Sequence, residues 1–203
     1  MVVVIGLLGP IAGGKSVVMA EWARLGAVTV RADDISRQLL APGSDLLAAV
    51  SGQFGEQFLR PDGSLDRRAL ANLVFRDPVA LGRLEAIVHP AMVRHMAELV
   101  AQERERERPA PAFVIEAANL VPMGALKLVD TTVLVTAPRE VRIQRLMARD
   151  GVTRDYAEAL VGVQENMGLE QFRADYTIDA GGDERATREA AQRLWSELVK
   201  AGE

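Results

Sequence analysis

The sequence contains no cysteine. Disulfides, thiolate metal sites and thiol nucleophiles are therefore excluded together, and a reducing, cytoplasmic setting is compatible with the chain. Histidine is almost as scarce. His89 and His95 are the only two, too few to build a metal site by themselves. No apolar run approaches the ~18 residues that a membrane span requires. The apolar start, Met1 to Leu8, carries no basic leader and runs straight into glycines, so it reads as a buried strand and not as a signal peptide. A net charge of −4 gives no reason to expect nucleic-acid binding. An Asn-Lys-x-Asp guanine signature is missing, which speaks against a GTPase. Lysine occurs only as Lys15, Lys127 and Lys200 in a chain whose Lys and Arg total 24, so each lysine raises the question of why arginine does not stand there.

What is present suits one compact unit. The chain has 203 residues, 49% of them hydrophobic and 26% charged, enough for a sizeable core under an ordinary globular surface. Apolar, β-branched runs at Val2–Gly6, Val28–Val30, Ala112–Glu116, Thr131–Thr136 and Tyr176–Asp179 predict strands. Helices are predicted over Lys15–Arg24, Asp33–Leu40, Asp45–Phe54, from a cap at Asp66 to about Phe75, Pro138–Arg149, Thr153 to about Asn166, and Asp183–Ala201. Asp77-Pro78 opens a long helix with an acid as cap and proline at the first helical position. Pro90 is expected to kink or interrupt it. Its tail, Gln102–Arg108, alternates Glu and Arg and reads as a solvated helix end. Strands separated by helices imply an α/β fold, a parallel sheet covered on both faces. The helical stretch between residues 34 and 108 breaks that alternation and is the natural substrate lobe; the helices around 138–166 suit a lid.

Gly9-Pro10-Ile11-Ala12-Gly13-Gly14-Lys15-Ser16, followed by Val17, fits the phosphate-loop pattern G-x-x-x-x-G-K-[ST]. The chemistry needs backbone N–H groups converging on phosphate oxygens, glycines that let the chain turn, and a helix N-terminus behind them. Lys15 would reach the β- and γ-phosphates of ATP, and the Ser16 hydroxyl would ligate Mg²⁺. The motif follows a predicted strand and opens a predicted helix, as its mechanism requires.

Acids at the ends of the next strands are the candidates for proton and metal chemistry, because open α/β sheets place their sites at the carboxyl edge. Asp33 could accept a proton from an attacking hydroxyl; Asp34 reads as a helix cap, a role also open to Asp33. Glu116 ends the third strand, where an acid usually serves Mg²⁺ directly or through water. Arg142, Arg145 and Arg149 stand three and four residues apart on one helical face. Arg145 and Arg149 suit an arginine-bearing lid, and Arg142 a solvated face. His89, just before Pro90, reads on spacing alone as a buried hydrogen-bonded residue at a helix bend.

From about Val4 to Trp195 the chain resembles the dephospho-coenzyme A kinases. The resemblance rests on Ile5-Gly6-Leu7 before the phosphate loop, Ala32-Asp33-x-Ile35-x-Arg37, Asp62-Gly63-Ser64-Leu65-Asp66-Arg67, Val74-Phe75, Leu84-Glu85-x-Ile87-x-His89-Pro90, Arg145-Leu146-x-x-Arg149-Asp150-Gly151, Gln164, and Ala174-Asp175-Tyr176-x-Ile178-Asp179. It implies a single P-loop kinase domain over residues 1–203, with a three-layer nucleotide core (about 1–32, 109–137 and 168–203), a helical coenzyme A lobe (about 33–108) and a lid (about 138–167). It implies transfer of phosphate from ATP, with Mg²⁺, to the ribose 3′-hydroxyl of dephospho-coenzyme A, by a cytoplasmic enzyme that is a monomer or weak homo-oligomer. Asp33 matches the family acid beside that hydroxyl, His89 and Pro90 the family pair at the coenzyme A lobe, and Arg145 and Arg149 the lid arginines. Three departures stand out. Arg31-Ala32-Asp33 replaces Asp-Ala-Asp; the segment Glu116–Pro122 replaces an Asp-x-Pro-Leu-Leu-Phe-Glu run; and Glu170 and Ala180 replace a base and an Asn. Arg31 is expected to act on Asp33 and weaken it as a base. Another small-molecule acceptor, or a silent nucleotide-binding paralogue, are the competing readings.

Overall fold

The computed structural model describes residues 2–165 and 172–200. Five strands, β1 (Val3–Leu8), β2 (Val28–Arg31), β3 (Ala112–Glu116), β4 (Thr131–Thr136) and β5 (Tyr176–Asp179), form one parallel sheet in the order β2-β3-β1-β4-β5. Side chains alternate across a strand, and both faces are buried. Val4, Leu8, Phe113 and Ile115 face one side. Ile5, Leu7, Val114, Val133 and Val135 face the other, where α1 (Lys15–Arg24) and α8 (Glu184–Lys200) cover them. Trp22 anchors that side. It is fully buried, stands 6.3 Å from Trp195, and donates its indole N–H to the Ala191 carbonyl at 2.9 Å.

The opposite face carries α2 (Ala32–Leu39), α3 (Asp45–Phe54), α4 (Arg67–Val74) and α5 (Pro78–Arg104). The first three pack on α5. Val88, Met92, Met96 and Val100 recur every fourth residue along α5, which places them on one stripe. These residues share one continuous core with the sheet face. Asp77 starts α5 by accepting the amides of Val79 and Ala80 at 2.9 and 3.1 Å.

Two residues of α5 depart from expectation. The helix runs through Pro90 without interruption. Its end, Gln102–Arg108, is exposed as expected except at one residue: the helix stops at Arg104, and Glu103 is only 3% exposed. That carboxylate accepts the Ala110 amide at 2.8 Å and pairs with Arg106 at 3.1 Å, so it fastens the return of the chain into β3.

Helices α6 (Arg139–Asp150) and α7 (Arg154–Glu165) form a hairpin. Ile143, Leu146, Ala157 and Val161 fill its small core. Arg154 joins the two helices, reaching Glu140 at 2.6 Å and Glu158 at 2.8 Å. Arg142 faces inward and is only 4% exposed, in place of the solvated position expected. The predicted reach of α7 to Asn166 and of α8 to Ala201, and Glu170, lie outside the described residues.

Candidate active site

The loop between β1 and α1 is squeezed between the ends of β4 and β5. A Cβ on Gly9 would sit 2.3 Å from the Val135 carbonyl oxygen, and one on Gly14 would sit 2.7 Å from the Ala180 Cβ. Gly14 also holds φ at 100°, where a side chain is strained. The loop closes on itself through Gly13 N–H to the Pro10 carbonyl at 3.1 Å. Ala12 has φ of 55°, a positive value unique among the described non-glycine residues. Ile11 and Ala12 pack against the small core of the α6–α7 hairpin, so the phosphate loop and the hairpin share apolar contacts.

Lys15 opens α1 and folds back over the loop. Its ammonium donates to the carbonyls of Gly9 at 2.8 Å and Pro10 at 3.0 Å, and lies 3.5 Å from Glu116 Oε1. Burial pushes its pKa below the ordinary lysine value, while the neighbouring Glu116 carboxylate opposes the shift. The charges of Arg31 and Asp33 also reach it, in opposite senses. Ser16 follows, exposed at the first turn of the helix.

Glu116 ends β3, in register with Leu7 of β1 on one side and Arg31 of β2 on the other. Its second oxygen accepts from Arg31 Nε at 3.2 Å. The partner of Arg31 is therefore Glu116, and not Asp33 as expected. Asp33 and Asp34 lie in the first turn of α2, whose cap position is Arg31, so neither aspartate caps the helix. Asp34 pairs with Arg37 at 3.1 Å, while Asp33 is exposed toward the cleft.

That cleft, about 290 Å³, runs between α2, α4 and α5. Leu40, Leu70, Leu84 and Met92 give it apolar walls. Asp33, Arg67, Glu85, His89 and Asn119 supply its polar groups. Arg67 donates to the Ser36 carbonyl at 3.2 Å. Burial, and after it the neighbouring Arg37, push its pKa down, while Asp33 opposes. His89 is half-buried, and burial pushes its imidazole below the ordinary value against the pull of Glu85. Pro90 is exposed and does not line the cleft.

Arg145 reaches from α6 to the loop after β5. It donates to the carbonyls of Ala180 at 2.6 Å and Gly182 at 3.1 Å, and to that of Ala12 at 3.4 Å. Arg149 is not brought to the phosphate loop; its guanidinium pairs with the adjacent Asp150 at 2.7 and 2.8 Å. Oxygen donors are what Mg²⁺ prefers, and the Ser16 hydroxyl and Glu116 carboxylate supply them beside the loop. Among the described residues no group of three His, Asp or Glu could hold a metal ion. A metal here fits as one shared with nucleotide phosphates, the usual habit of Mg²⁺.

A model of the family described as dephospho-CoA kinase matches residues 3–185. The chain belongs to the dephospho-CoA kinase family. A dephospho-CoA kinase of Moorella thermoacetica is 40% identical over 197 residues, covering 97% of this chain and 92% of that protein. One from Geobacter sulfurreducens is 39% identical over 193 residues, covering 95% and 97%. Among solved structures, TT1252 from Thermus thermophilus superposes with a TM-score of 0.78 at 31% identity, covering 97% of this chain and 98% of that one. The fold is that of the P-loop NTPases, and the chain is a kinase of the dephospho-CoA kinase family.

The phosphate loop and Glu116 come together at Lys15, and Asp33 lines the cleft; Arg67, Glu85 and Asn119 line it too, without a role expected of them from the sequence. The first two sit inside the Asp62–Arg67 and Leu84–Pro90 runs, which were the available signal. Asn119 had none: it joins the cleft only because the chain turns back after β3.

Proposed function

We propose that this protein transfers the γ-phosphoryl group of ATP to the ribose 3′-hydroxyl of dephospho-CoA, giving CoA, with Mg²⁺ as the metal. The observation that carries the reading is the position of Asp33. It stands at the cleft between α2, α4 and α5, in the first turn of the helix that follows Arg31, and Arg31 shares the Glu116 carboxylate with Lys15 of the phosphate loop. An acceptor hydroxyl beside Asp33 would thus face a phosphate held by Lys15. The dephospho-CoA kinases of Moorella and Geobacter, alike over nearly their whole length, support the choice of acceptor.

In this reading the loop amides and Lys15 hold the donor phosphates. Ser16 and Glu116 would hold the metal, which when bound supplies charge neutralisation across the phosphates. Asp33 orients the acceptor hydroxyl and takes its proton. The section α2–α5 is the acceptor lobe, where His89 and Arg67, with Asn119 from the chain after β3, bind the substrate, and Pro90 shapes the helix around His89. Hairpin α6–α7 is the lid. Arg145 and Arg149 close with it over the transferring group and exclude water, which would otherwise take the phosphate. The test is Asp33→Asn. Turnover should fall on the order of 10²–10⁴-fold, the usual contribution of a general base, while ADP affinity by calorimetry stays unchanged. Unchanged turnover would remove Asp33 from the chemistry.

A further inference from the structure

Glu116 is held from two sides by two different cations. Oε1 faces Lys15 Nζ at 3.5 Å and Oε2 faces Arg31 Nε at 3.2 Å. The two contacts are not equivalent. Lys15 belongs to the phosphate loop, where its ammonium also serves the Gly9 and Pro10 carbonyls. A nucleotide that draws this ammonium to its phosphates draws it from Glu116. Arg31 has no such second duty. It is the last residue of β2, the edge strand, and it is fixed opposite Glu116 by the parallel register that pairs Val28 with Phe113 and Arg31 with Glu116. The Glu116 side chain is 13% exposed and the Arg31 side chain 51%. Arg31 is thus the more exposed partner of a largely buried carboxylate.

We propose that Arg31 is the positioning residue for Glu116: by holding Oε2 it aims Oε1 at the phosphate loop, where a nucleotide-borne Mg²⁺ would sit. The guanidinium suits this task, because it is planar and presents directional donors where an ammonium is a point charge. Without it the carboxylate is free to rotate outward along β3 to water. The inference rests on the reading that Glu116 serves the metal.

The test is calorimetric binding of ADP at a series of Mg²⁺ concentrations and in EDTA, for wild type, Arg31→Gln, Arg31→Lys, Glu116→Gln and the Arg31→Gln/Glu116→Gln pair. Arg31→Gln should leave ADP affinity in EDTA unchanged and raise the Mg²⁺ needed for half of the metal-dependent gain by about 10-fold, the lower end for loss of a group that orients a metal ligand. Arg31→Lys, which keeps the charge on the strand, should fall between it and wild type. The paired variant should need no more Mg²⁺ than Glu116→Gln alone, because Arg31 acts through Glu116. A Mg²⁺ requirement unchanged in both Arg31 variants, with Glu116→Gln raised, overturns the role of Arg31 alone. A requirement unchanged in Glu116→Gln overturns the metal reading of Glu116, and the role of Arg31 with it.

Discussion

Arg145 of α6 donates its guanidinium to the Ala180 carbonyl at 2.6 Å, joining the α6–α7 hairpin to the loop after β5. The same side chain touches the Gly182 and Ala12 carbonyls. One residue therefore ties three segments around the phosphate loop. Arg145→Ala should weaken ADP binding and slow turnover together, the latter by on the order of 10²-fold for a lost preorganised cation. It should also lower stability by about 1.5–3 kcal/mol, the usual cost of a hydrogen bond to a charged group. Thermal melts and calorimetry on one variant check both. Arg149 lies on the surface of the α6–α7 hairpin against Asp150, with its side chain 60% exposed. Arg149→Ala should lose turnover and leave ADP affinity and melting unchanged.

Lys15→Ala should abolish transfer with the fold intact, a fall of at least about 10²–10³-fold. Lys15→Arg should fail too. The ammonium fits between two carbonyls 2.8 and 3.0 Å away, a space for a compact point charge and not for a planar fork. Retention of more than a few per cent of the rate by Lys15→Ala, in a protein that melts normally, would remove Lys15 from the chemistry.

A buried carboxylate on α1 contributes a pH-dependent part of the stability. Glu21 is 2% exposed, and hydrogen bonds from Arg24 and Gln192 hold its carboxyl down at about 2, with Arg188 also near. A carboxyl whose folded pKa lies below its ordinary value stabilises the fold fully above the ordinary value. That stability is lost as pH falls from the ordinary carboxylate range toward about 2. Melting temperature should therefore drop on acidification through this window, and drop less steeply in Glu21→Gln. At neutral pH Glu21→Gln should itself be destabilised by about 1 kcal/mol or more. Parallel melting curves for the two proteins, from neutral pH downward, decide the matter.

Much of this arrangement is legible in the residues, and what is not has a physical reason. Strands β3, β4 and β5 and helices α1 and α3 have the bounds expected, because glycine, proline and the Ser44 cap punctuate them. The phosphate loop is readable because its chemistry is local: eight consecutive residues hold every group it needs. The partner of Arg31 is not readable, since strand register across 85 residues of chain sets it. Arg142 shows the same limit on a helix, where spacing places residues on a face without saying which face is packed. Glu103 looked solvated because it stands in a run of alternating charge; it is buried because the Ala110 amide, at the entry to β3, needs an acceptor. The cleft brings together Asp33, Arg67, His89 and Asn119 from four separate segments, which no local pattern joins.

Purified protein with Mg-ATP should form ADP when dephospho-CoA is added, and ³¹P NMR should show one new phosphomonoester on the product, at the ribose 3′ position. CoA itself and a panel of nucleosides should give no ADP above the background of ATP hydrolysis. A chain that forms no ADP with dephospho-CoA, or that phosphorylates a nucleoside in preference to it, would contradict the account.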